Sequence, residues 1–245
     1  MRLSFKSVHK YLLFLSLLLS INSCASRAPA DEIKQIGNSK DFPVYAVGSM
    51  DASQKNSAGR LDLHKFPFKK HLYAVGVGEN LIGEIIVIDG NTHYIISSSN
   101  KDITVKSNLP EKATFLVFTY VKNWEKIPVP KEVDTLKSLE RFIDNKTKSY
   151  QKRNEVIIPF LLKGNFSFCK VHVAHTSASS YFTIPNNKLT LLGFFTKQYA
   201  GHYTYKDNLT HIHTVSDKTG GHVDDFSLKM DTNKYIYLPK ITTTQ

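Results

Sequence analysis

Three histidines near the C-terminal end of the chain sit at a spacing that can do chemistry. They lie in Thr210-His211-Ile212-His213-Thr214-Val215-Ser216-Asp217-Lys218-Thr219-Gly220-Gly221-His222-Val223-Asp224. On a strand, residues two apart share a face, so His211 and His213 point one way and Ile212 the other. Positions 216–221 are turn residues. A turn centred between Asp217 and Lys218 pairs 216 with 219, 215 with 220, 214 with 221 and 213 with 222. His213 then faces His222 with Cβ atoms about 5 Å apart. Three imidazoles converging from two strands suit a divalent transition metal that keeps open positions for water or substrate, as catalytic sites do. The competing reading is a histidine-rich exposed hairpin, although the histidines at 9, 64, 71, 93, 172, 175 and 202 show no comparable pattern.

The elements that must position this hairpin read as mostly strand. Apolar and β-branched segments bounded by turn residues predict strands over 73–77, 83–88, 93–97, 114–121, 156–162, 166–174 and 189–195. Asp89-Gly90 between two such runs is a hairpin signal. One segment has helical period, with apolar residues at 136, 139, 142 and 143 after Asp134 as N-cap. No internal repeat, phosphate-binding glycine loop or Gly-x-Ser-x-Gly elbow is present. The expected class is α+β, dominated by β, with two sheet-rich halves at about 42–150 and 151–245 and few helices.

The first residues read as an export signal. Arg2, Lys6 and Lys10 precede an apolar run over 11–21 that is too short for a lasting membrane span. The run ends in Ile21-Asn22-Ser23-Cys24, which looks like a loose bacterial lipobox. The expectation is a lipoprotein-type signal over 1–23, a lipid on Cys24, a tether over 24–41, and a folded domain over 42–245 held at the bacterial cell envelope. A plain secretory signal with a chance cysteine is the alternative. With Cys24 lipidated, Cys169 has no disulfide partner, and its strand setting Phe166-Ser167-Phe168-Cys169 points to inert packing. The net charge of +11 includes the three positives of the leader. The other lysines are scattered with no nucleic-acid motif, so a solvated basic surface is expected and a nucleic-acid partner is not.

These residues resemble the α-acetolactate decarboxylases. The family pattern is met by Leu192-Gly193-Phe194, Tyr199, Asn208, His211-Ile212-His213 and Gly220-Gly221-His222. Gly48-Ser49-Met50-Asp51-Ala52 with Gly59, and Gly83-Glu84 with Asp89-Gly90, look like its N-terminal motifs. The similarity runs roughly from 44 to 239. It implies the family fold, one Zn2+ on His211, His213 and His222, and a catalytic role for Glu84. It also implies decarboxylation of a small 2-hydroxy-3-keto acid such as 2-acetolactate to acetoin, in a chain able to form a homodimer. The departures are specific. The hairpin between His213 and His222 is two residues shorter than the family norm, a change that keeps every residue on its face. Val77 follows Gly76 where the family has a threonine, and no glutamate follows Glu155. The family's substrate-binding arginine falls on or near His172, and a guanidinium clamps a carboxylate in a two-point way that imidazole does not copy. A non-catalytic envelope protein of the same fold, binding metal or a small ligand, is the alternative function.

Overall fold

Strand alternation decides which residues meet at the centre of the molecule. The structure, a computed structural model, describes residues 33–98, 102–151, 157–176, 178–205, 208–230 and 233–242. The expected signal over 1–23, Cys24 and the first part of the tether lie outside the described residues. Asp31–Gln245 forms one compact unit, and among the described residues no helix is long and apolar enough to cross a membrane.

The first sheet is built from β1 (Lys34–Gly37), β2 (Val44–Val47), β3 (Leu61–Asp62), β4 (Leu72–Gly78), β5 (Glu84–Ile88), β6 (Asn91–Ser97), β7 (Ile103–Lys106) and β8 (Lys112–Tyr120). Its order is β1-β2-β8-β4-β5-β6-β7, with β3 also on β8. β4 is buried on both faces. Tyr73, Val75 and Val77 join the main core, whereas Leu72 and Ala74 join a smaller cluster with Leu63, Phe66 and Phe118. On β5, Ile86 belongs to the main core while Ile85 and Val87 face the smaller one. Period two therefore turns Glu84, like Ile86, toward the main core.

The second sheet holds β9 (Trp124–Pro128), β10 (Ile158–Val173), β11 (Ser180–Phe195), β12 (Thr210–Val215), β13 (Gly220–Leu228) and β14 (Tyr235–Pro239). Its pairings run β11-β12-β13-β10-β14-β9, and β10 also pairs β11 along its whole length. The strands β10, β11, β12 and β13 thus close a ring of hydrogen-bonded pairs. The helices are α1 (Met50–Lys55), α2 (Leu136–Lys146) and α3 (Lys148–Gln151).

The β-dominated α+β expectation holds, with four adjustments. Lys34–Gly37, expected inside the tether, pairs with β2 instead, because an unpaired extended segment beside a sheet edge gains backbone hydrogen bonds by joining it. The halves do not part at 150, since β9 crosses to the second sheet by pairing β14. The two strands expected on either side of Gly164-Asn165 are one, because β11 pairs across that stretch without interruption. The N-cap of α2 is Thr135, one residue after Asp134, where Thr135 and Ser138 form a reciprocal capping box.

Candidate metal centre

The hairpin forms in the register that the sequence predicts. His213 pairs with His222, Thr214 with Gly221 and Val215 with Gly220, and the Ser216 N–H donates to the Thr219 carbonyl at 2.7 Å. Gly221 has φ of 149°, and a Cβ there would stand 2.6 Å from the His172 carbonyl oxygen, so no other residue fits between the strands. His222 has a neighbour on each side, His213 on β12 and His172 on β10.

His211, His213 and His222 are all buried, and each offers a ring nitrogen within 4.8 Å of the others'. His211 Nδ1 lies 3.2 Å from the Tyr203 carbonyl oxygen. That oxygen only accepts, so Nδ1 carries the hydrogen and Nε2 keeps its lone pair. Nε2 of His211 and Nε2 of His213 are 2.9 Å apart. Nε2 of His222 is buried with no hydrogen-bond partner among the described residues. Burial pushes all three imidazoles toward the neutral form: His211 and His213 fall well below 6.5 and His222 falls to about 4. Neutral, convergent, partly orphaned nitrogens are what a divalent metal requires of its ligands, so the residues fit such an ion.

Glu84, buried at the start of β5, faces this group. Its Oε1 accepts from the Ala174 N–H at 2.7 Å, and its Oε2 stands 3.6 Å from His213 Nε2. Burial lifts its carboxyl to about 7, against the opposing pull of His172 and the Ala174 hydrogen bond. His172, on β10, has Nδ1 2.8 Å from Asp224 Oδ1, and the same oxygen is 3.6 Å from His222 Nδ1. Burial acts to raise the Asp224 carboxyl, but the His172 hydrogen bond and the nearby His222 ring outweigh it and hold the group well below the usual carboxylate range. A bulge between Lys170–Asp225 and Val171–Val223 leaves Asp224 as the extra residue on β13 and sets its carboxylate beside His172.

These groups open on a cavity of about 220 Å³, lined by Glu84, His172, His211 and His222 together with Val77, Phe115 and Tyr205. No lysine or arginine lines it among the described residues. The Phe115 ring stacks on His211 at 5.6 Å, nearly parallel.

The alpha-acetolactate decarboxylase family matches residues 73–242. The chain belongs to this family. Its fold is shared with alpha-acetolactate decarboxylase from Bacillus subtilis strain 168, at a TM-score of 0.62 and 19% identity over 81% of this chain and 86% of that one. A Staphylococcus aureus protein of unknown function, described as similar to alpha-acetolactate decarboxylase, gives a TM-score of 0.63 and 17% identity over 82% and 86%. The acetolactate decarboxylase of Bacillus subtilis subspecies spizizenii gives 0.61 and 19% over 81% and 87%. No curated protein matches by sequence.

All five residues expected in the site, Glu84, His172, His211, His213 and His222, come together in this family member, while Cys24 lies outside the described residues. Val77 does line the cavity. Cys169 is a buried free thiol, pushed up to about 12 by burial, in keeping with inert packing. Asp224 adds to this set, and its hydrogen bond to His172 depends on a bulge that no local pattern announces. Phe115 and Tyr203 were missed altogether. Each is an ordinary aromatic in its own segment and gains its role only when β8 and the 199–205 turn pack beside His211.

Proposed function

We propose that this protein is a metal-dependent carbon–carbon lyase that decarboxylates a small 2-hydroxy-3-keto acid such as 2-acetolactate to acetoin and CO2. The observation that carries the reading is a buried acid, Glu84, placed against a three-histidine metal site in one cavity. His211, His213 and His222 would hold the ion, with Zn2+ the expected metal. When bound it supplies Lewis acidity toward the substrate's oxygens.

The chain's own groups divide the remaining work. Loss of CO2 breaks the bond to the carboxylate carbon and leaves its electron pair on the substrate, drawn toward the neighbouring carbonyl. A proton must then reach that carbon. Glu84 is the donor: burial favours its protonated form, lifting the carboxyl to about 7 in the metal-free cavity. Oε1 is engaged by the Ala174 N–H, so Oε2 is the oxygen that carries the proton. His172, held by Asp224, orients the substrate in the same cavity. Phe115 and Val77 keep that side of the cavity apolar and limit water at the reacting carbon.

The alternative, a non-catalytic binder of metal or a small ligand, is favoured by the cavity's lack of a lysine or arginine among the described residues and by His172 at the family's arginine position. The test is acetoin formation from racemic acetolactate by the zinc-loaded protein, beside a His211→Ala, His213→Ala double variant. Product from the parent and none from the variant supports the enzyme. A folded, zinc-loaded parent that makes no acetoin supports the binder, and absence of bound metal in the parent rules out the enzyme and the metal binder alike.

The proposal includes an address. Cys24 directly after the apolar run supports lipid anchoring at the bacterial cell envelope. Metabolic labelling with a fatty acid, seen in the parent and lost in Cys24→Ala, checks it.

A further inference from the structure

The end of the first sheet remote from the metal centre is basic. A cleft of about 590 Å³ there is lined by Lys40, Lys69, Lys70, Lys122 and Lys240, with Asp41 as its acid. All five lysines are exposed. Among the described residues no ion pair joins any of them to a carboxylate, and Lys69 lies over the Tyr120 ring at 5.1 Å. Asp41 is already engaged, accepting from the Thr242 N–H at 2.9 Å and the Thr242 hydroxyl at 2.7 Å. His71, at the cleft wall, has its N–H on the Asp89 carboxylate and its ring 3.6 Å from it. Five like charges gathered from four segments of the chain repel one another, and an anion at the cleft relieves that repulsion.

Position gives the cleft a direction. β4 begins beside it at Leu72 and ends in the catalytic cavity at Val77, about 17 Å away at strand rise. The two openings therefore lie at opposite ends of one sheet. Lys40, Asp41 and Pro43, on the link from β1 to β2, line the cleft, and β1 runs to it from Lys34, about 10 Å back along the strand. The chain between Cys24 and Lys34, fully extended, reaches roughly 35 Å, enough for a lipid on Cys24 to hold this end close to a bilayer.

We infer that the lysine cleft docks on the anionic phospholipid headgroups of a membrane, so that the metal cavity opens away from the lipid surface. The lysines act as exposed point charges. Binding is therefore electrostatic, falls with salt, and amounts to roughly a fivefold gain in affinity for each lysine at the surface. The inference is independent of what the cavity catalyses.

The test uses the compact unit from Asp31 onward, which carries no lipid and no leader, in sedimentation with two kinds of vesicle. One is phosphatidylcholine alone and the other is phosphatidylcholine mixed with phosphatidylglycerol. The expected result is binding to the mixed vesicles only, lost by more than about 100-fold when Lys69, Lys70, Lys122 and Lys240 are changed to Glu. A milder Lys→Gln set at the same positions shows a smaller loss and serves if the Glu set misfolds. A charge-matched control, Lys→Glu at Lys55, Lys137, Lys163 and Lys188, keeps most of the binding. Three results would overturn the inference: no preference for the mixed vesicles, an equal loss in the control set, or release by inorganic phosphate at constant ionic strength. The last would make the cleft a site for a free anion.

Discussion

The two walls of the cavity were assembled in different ways. The metal wall is one hairpin, in which His211, His213 and His222 are placed by a local turn and the alternation of two adjacent strands. The facing wall is collected from β4, β5, β8 and β10, and its contacts span long stretches of sequence; the Ala174–Glu84 hydrogen bond alone joins residues 90 positions apart. A local device tolerates divergence because few residues specify it. A wall drawn from two sheets changes when any contributor changes; Val77 and His172, where the family resemblance implies a threonine and an arginine, are where such change is expected.

Breaking the metal wall is expected to have the largest effect. His222→Ala removes one of the three ligands, so bound zinc and acetoin formation should both fall sharply, by metal analysis and product assay. Breaking the facing wall should separate the two readouts. Glu84→Gln keeps the shape but not the proton, lowering kcat by roughly 10²–10⁴-fold with zinc stoichiometry unchanged.

The metal-free protein offers a pH test of the same contrast. The three histidines have folded pKa values below 6.5, with His222 at about 4, so between about 4 and 6.5 the folded state binds fewer protons than the unfolded one. Their contribution to stability is present above 6.5 and is lost as pH falls through that window. Glu84, raised from 4.5 to about 7, works the other way and weakens the fold as pH rises between those values. Three groups against one should give urea midpoints that rise toward pH 6.5. Replacing Glu84 by Gln should steepen the rise.

Two smaller effects sharpen the comparison. In Gly76→Ala the new Cβ would stand 2.2 Å from the Phe115 carbonyl oxygen and 2.9 Å from Leu116 Cα, both backbone atoms. The facing wall should lose about 1–3 kcal/mol of stability by denaturant titration while the hairpin still binds metal. Asp224→Asn removes the carboxylate that holds His172, and kcat/KM should fall roughly tenfold.

The same division decides what could be read from the sequence. The ligand triad and its register were legible because turn, alternation and glycine all lie within 210–224. Glu84 was reached through family likeness alone; from its own segment it reads as an edge-strand carboxylate facing water. The strand that carries His213, β12, is far away in sequence, and only the packing of two sheets brings it to Glu84. Element bounds failed where tertiary pairing overruled local punctuation. Gly164 and Asn165 look like a break, yet β11 supplies a partner for each. Residues 34–37 look like a polar linker, yet an open edge of β2 is available to them.

The closed circuit of β10, β11, β12 and β13 has a consequence for the life of the metal. In a circuit, no strand can slide without moving all the others, so the spacing of the three imidazoles is fixed by backbone pairing whether or not an ion is present. The empty protein then keeps a finished socket. An ion held there would leave and enter without refolding the chain, and which ion occupied the site would depend more on what its surroundings supply than on the fold.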